Sequence, residues 1–72
     1  MVKNLSYLDM LVSSHNLILF MNHFPDKGWE IGVMTKEKDE DKERLVSSYE
    51  GKNIDKMIKN TCENIEKYIK EK

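Results

Sequence analysis

The sequence predicts a small α+β domain, α-β-β-α, with two helices packed on an antiparallel hairpin. Three observations carry this. An amphipathic 3.6-residue period runs over residues 51–72, and a period of two runs over residues 29–36 and 44–49. Pro25 and Gly28 supply turn chemistry where the first pattern of the chain gives way to the alternating one. At 72 residues the chain suffices for one domain, of a size that buries roughly 60 % of the surface its unfolded chain exposes. With no repeat and no low-complexity linker to divide it, residues 1–72 read as a single α+β domain.

Residues 4–24 come first. Leu5, Leu8, Leu11, Val12, Ile18 and Leu19 make a helical stripe, with Ser6 and Asp9 spaced as a capping box. A second apolar row, Met10, Leu17, Phe20, Met21 and Phe24, faces elsewhere. Leu, Met, Asn and His are not branched at Cβ and do not favour strands, so one long helix is the preferred reading. The alternative breaks it at Ser13-Ser14-His15-Asn16 and makes residues 17–23 a strand, giving α-β-β-β-α.

Pro25 ends this segment, because it lacks an amide hydrogen and pushes Phe24 out of the helical region. Trp29, Ile31, Val33 and Thr35 then alternate with Glu30, Gly32, Met34 and Lys36, the pattern of a half-buried strand. Gly32 suggests a bulge or a close approach by another group. Residues 36–43 carry a charge at every position, the composition of a solvated hairpin tip. In the second strand, residues 44–49, Leu45, Ser47 and Tyr49 would share one face and Arg44, Val46 and Ser48 the other.

The last helix has the clearest pattern. Ile54, Met57, Ile58, Thr61, Cys62, Ile65, Tyr68 and Ile69 form one stripe, and Asp55, Lys56, Lys59, Asn60, Glu63, Asn64, Glu66 and Lys67 fill the other side. Asn53 is placed as N-cap, and Asp55 puts negative charge at the positive end of the helix dipole.

Composition narrows the function classes. Net charge is −1, without the basic excess typical of proteins drawn to nucleic acid or acidic membranes. With 39 % hydrophobic and 35 % charged residues the chain is too apolar for intrinsic disorder. A lone Cys62 cannot close an internal disulfide, and no targeting or membrane-spanning segment is visible, so a cytoplasmic protein is expected. The absence of alanine and glutamine, with Arg44 the single arginine, resembles the output of AT-rich bacterial, phage or plasmid genes.

Catalytic material is thin. Ser13, Ser14 and His15 are sequence neighbours, which point in different directions on a helix, and no third orienting group is evident. Cys62 with His15 or His23 lacks a source of thiolate stabilisation. One cysteine and two histidines are poor material for a metal site, and Asp39-Glu40-Asp41 lacks the order of a calcium loop, so no cofactor or metal is expected.

These readings leave a small non-enzymatic protein-binding module, forming a homodimer through its open strand edges or engaging a protein partner. An inhibitor of a host or defence protein, encoded by a phage or plasmid, is the subclass suggested by the composition. Asp39, Glu40 and Asp41 at the charged tip, with the aromatic residues Trp29, Phe20 and Phe24, are the candidate partner-binding residues. Residues 29–50 carry four basic and seven acidic side chains (net −3), and residues 51–72 carry six basic and four acidic (net +2), so the acidic end is the hairpin.

The alternative is a nucleic-acid-binding module using Lys52, Lys56, Lys59 and Lys67 on the last helix. The α-β-β-β-α order, with Glu50-Gly51-Lys52-Asn53 ahead of that helix, resembles double-stranded-RNA-binding domains. The strands and this helix entry are also similar to small antitoxins of the HicB type. The first of these implies a lysine cluster opening the last helix; this chain has Ile54 and Asp55 there.

Overall fold

The computed structural model describes residues 3–35 and 45–71. Its element order is α1 (Leu5–Ser14), β1 (Leu17–Phe24), β2 (Gly28–Thr35), β3 (Leu45–Gly51) and α2 (Ile54–Lys70). The three strands form an antiparallel meander, β1-β2-β3, and both helices lie on one side of it. The chain is a small α+β domain of the α-β-β-β-α form.

The single long helix expected over residues 4–24 is therefore corrected to a helix and a strand. α1 ends at Ser14, and Asn16 takes φ 56°, a left-handed conformation that Asn tolerates better than most side chains. This reverses the chain into β1, whose eight residues pair with β2 from Leu17↔Thr35 to Phe24↔Gly28. Pairing with β2 supplies what the local preferences of Leu, Met and Asn do not. The N-cap also differs: the Asn4 side chain, not that of Ser6, accepts from the Tyr7 amide at 3.0 Å.

Gly28 opens β2 at φ 98°, and a Cβ there would collide with the Gly51 carbonyl oxygen. Glycine is required twice over, by conformation and by space. The pairing of β2 with β3 is interrupted by a bulge, since Val33 opposes Ser47 while Met34 opposes Leu45. Val46 is the extra residue, and the simple alternation expected across residues 44–49 is broken there. Ser47 and Tyr49 share a face as expected, the one toward the helices, but Leu45 turns to the opposite side and Val46 packs half-buried against the core.

The core lies between the helices and the sheet. Leu8, Leu11 and Val12 of α1 meet Leu17, Ile31 and Val33 of the sheet and Met57, Ile58, Cys62 and Ile65 of α2. Leu8, Ile31, Val33, Thr61, Cys62 and Ile65 are almost wholly withdrawn from solvent. The Thr61 hydroxyl donates to the Met57 carbonyl at 2.7 Å, and no buried side-chain nitrogen or oxygen among the described residues lacks a partner. α2 is capped by Asn53, whose side chain accepts from the Lys56 amide at 3.2 Å, as its sequence predicts. Among the described residues no helix is long and apolar enough to cross a membrane.

Candidate functional site

Strand alternation sorts the sheet into two faces. Leu17, Leu19, Met21 and His23 of β1 stand opposite Thr35, Val33, Ile31 and Trp29 on the helix side. The intervening residues point away from both helices: Ile18, Phe20, Asn22 and Phe24 of β1; Gly28, Glu30, Gly32 and Met34 of β2; and Leu45, Ser48 and Glu50 of β3. No described element packs on this second face. Phe20 is 36 % exposed, Phe24 42 % and Leu45 56 %, with Ile18 and Met34 half-buried between them.

Phe20 lies across the middle of this face. A Cβ on Gly32 would collide with three atoms of the Phe20 ring, so the ring rests directly on the glycine backbone. The glycine provides the close approach suggested by its sequence position, and the bulge falls instead at Val46 of β3.

One end of the face is acidic. Glu30 and Glu50 are directly opposed across β2 and β3, an arrangement of like charges that destabilises a sheet unless a cation is near. With Phe24, Pro25, Asp26 and Lys27 they surround an open cavity of ≈ 290 Å³. Among the described residues no group of three metal-ligating side chains comes together. The arrangement is an apolar surface with three carboxylates and one ammonium at its rim.

The residues singled out from sequence are only partly united. Phe20 and Phe24 share the uncovered face, whereas Trp29 is on the helix side, its ring 4.4 Å from that of His23 in a tilted stack. Asp39, Glu40 and Asp41 lie outside the described residues. Lys52, Lys56, Lys59 and Lys67 are all exposed, on or just before α2, with Asp55 and Glu63 among them. Ile18, Met34 and Leu45 join the face without having been picked out. The period of two places Met34 beside Gly32, but only the β1 register places Ile18 and only the bulge places Leu45.

A polar cluster joins the two helices away from this face. The Tyr7 hydroxyl donates to Glu66 Oε2 at 2.7 Å, and Lys3 Nζ lies 2.9 Å from Glu66 Oε1 and 3.5 Å from Glu63 Oε2. The Lys3 ammonium, then the Tyr7 hydroxyl, hold the Glu66 carboxyl below its ordinary range. Donation to Glu66 raises the Tyr7 hydroxyl, and the same carboxylate raises Lys3. Asn64, placed on the polar side of α2 by its period, is half-buried and donates to Ser47 Oγ at 3.2 Å and Tyr49 Oη at 2.9 Å. Burial raises the Cys62 thiol, which disfavours the nucleophilic thiolate.

Compared with known proteins, the chain matches no family model, and no curated protein or solved structure gives a significant match.

Proposed function

We propose that this chain is a non-enzymatic protein-binding module that presents the uncovered face of its sheet to a partner. The observation that carries the reading is the apolar group Ile18, Phe20, Phe24, Met34 and Leu45, gathered on the side that neither helix occupies. An antiparallel sheet can leave one face to solvent, but that face is then ordinarily polar. Apolar side chains collected there favour contact with another surface. The opposed Glu30 and Glu50 give the partner a chemistry: an apolar contact strip with a lysine or arginine at the end that meets the carboxylates. An inhibitor or modulator of a host or defence protein remains the subclass suggested by the composition.

A second reading, nucleic-acid binding, is favoured by the element order, the one expected of a double-stranded-RNA-binding arrangement, together with the exposed Lys52, Lys56 and Lys59. Asp55 stands among those lysines in the first turn of α2 and opposes phosphate there.

Affinity capture from a bacterial lysate, with and without nuclease, tests both. The protein-binding reading expects a stoichiometric protein that survives nuclease and is lost from Leu45→Lys and Phe24→Lys variants that retain their fold. If both face variants capture the same protein as the unaltered chain, the uncovered face is not the site. Captured material that disappears with nuclease, and with Lys52→Glu and Lys56→Glu, would instead support the α2 reading.

A further inference from the structure

β1 occupies the edge of the sheet but has the composition of an interior strand. Residues 17–21 are the longest unbroken apolar run in the chain, and β1 contains no Asp, Glu, Lys, Arg or Pro. Natural edge strands are usually kept from pairing by charge, proline, a bulge or a short length. β3, at the other edge, carries the Val46 bulge and Glu50, whereas all eight β1 residues keep an uninterrupted register with β2.

Burial gives an independent indication. Leu19 and Met21 point to the helix side like their β2 partners Val33 and Ile31, which are both 0 % exposed. Yet Leu19 and Met21 are only half-buried, because the core layer stops at this flank. β1 thus shows incompletely covered apolar side chains on both faces, together with an outer edge that no described strand pairs.

We infer that two copies of this chain pair antiparallel through β1, forming a continuous six-stranded sheet. The partner strand must be uncharged and apolar on both faces, and β1 is the described strand of this chain that meets that requirement. Pairing a strand with its own copy about a two-fold axis satisfies each edge with an identical one. Strand parity restricts the register. Directly opposed residues of an antiparallel pair share a face, so the axis must pass at a residue and not between two. Centred on Phe20, the pairing sets Phe20 against itself and Leu19 against the other copy's Met21. Centred on Met21, it sets Ile18 against the other copy's Phe24 and Phe20 against Asn22. Either register covers Leu19 and Met21 and leaves Leu45, at the far edge, outside the contact.

The pairing uses the strand edge and is independent of whether the uncovered face binds another protein. Sedimentation equilibrium on the full chain, with Phe20→Lys, Asn22→Lys and Leu45→Lys variants checked for native circular dichroism, tests it. The unaltered chain is expected to dimerise reversibly. Both β1 variants should weaken the dimer by on the order of ten-fold or more, Phe20→Lys by setting like charges opposite or diagonal to each other across the axis and Asn22→Lys by setting a lysine against Ile18 or Phe20 of the other copy, while Leu45→Lys leaves it unchanged. Asn22 is already exposed, so its variant serves if Phe20→Lys fails to fold. Hydrogen exchange should show β1 amides gaining protection with concentration while β3 amides do not. A chain that stays monomeric to millimolar concentration overturns the inference. So does a dimer that Leu45→Lys weakens as much as Phe20→Lys, or one in which protection rises along β3.

Discussion

Replacing Gly32 with alanine should change the sign of its effect according to what stands at position 20. Alanine in a strand interior is favoured over glycine by about 0.5–1 kcal/mol, because glycine loses more backbone freedom on folding. Here the new methyl would occupy space taken by the Phe20 ring, so the ring must swing away from the backbone it covers. Complete burial of a Phe side chain contributes about 1.5–3 kcal/mol. Phe20 is 36 % exposed in place, so leaving its seat forfeits only part of that, about 1–1.5 kcal/mol. The two effects nearly oppose, and Gly32→Ala alone should destabilise by about 0.5 kcal/mol. In a Phe20→Ala background the ring is absent, and the same substitution should stabilise by about 0.5–1 kcal/mol. Urea denaturation of the four proteins in a double-mutant cycle, at a concentration where each is a single species, gives a coupling of about 1–1.5 kcal/mol if the ring rests on the glycine. A coupling within error of zero would mean that it does not. Upfield-shifted Gly32 α-protons that move downfield in Phe20→Leu would provide a second, structural check on the same contact.

Four further expectations concern the helices. Glu66 has a folded carboxyl pKa held below its ordinary value of 4.5. Its contribution to stability is present above the unfolded value and lost as pH falls through the folded one, so Glu66→Gln should flatten the acid limb of the stability curve. Lys3 and Tyr7 are raised, so their contributions are complete below about pH 10 and decline as pH rises through the folded values, which Tyr7→Phe should reduce on the alkaline limb. Asn53→Ala removes the α2 cap and should cost about 1 kcal/mol in thermal or urea unfolding, against a few tenths for Asn53→Gly. Cys62, with its thiol raised by burial, should react with an aromatic disulfide reagent in the native protein at a rate set by opening of the fold, and rapid stoichiometric labelling would contradict its buried position.

α2 was legible because one stripe of residues decides its burial, and a cap and an acidic first turn agree with that stripe. β2 was legible for the same reason at a period of two. β1 was less so because edge position and apolarity on both faces imitate a helix with two apolar sides. What ends the helix is Asn16, a residue able to take positive φ, at the break that the alternative reading places in Ser13-Ser14-His15-Asn16. The Val46 bulge left no comparable mark, and with it the side on which Leu45 stands was hidden. The uncovered face was accordingly only half readable. Phe20 and Phe24 share a parity that sequence reveals, but the opposition of Glu30 to Glu50 depends on a register fixed by pairing across the sheet. Trp29 shares its aromatic character with those phenylalanines, but its strand parity puts it on the other side.

The meander pairs each strand with its neighbour in sequence, whereas the Lys3, Tyr7 and Glu66 cluster joins residues about sixty positions apart. Contacts between sequence neighbours close small loops and can form early, while a junction of the two helices must await most of the chain. The cluster is therefore expected to act as a latch that closes after the folding barrier has been crossed. Loosening it with Tyr7→Phe should leave the refolding rate nearly unchanged and appear almost wholly as faster unfolding, so that the pairing between helices governs how long a folded molecule persists more than how quickly it is made.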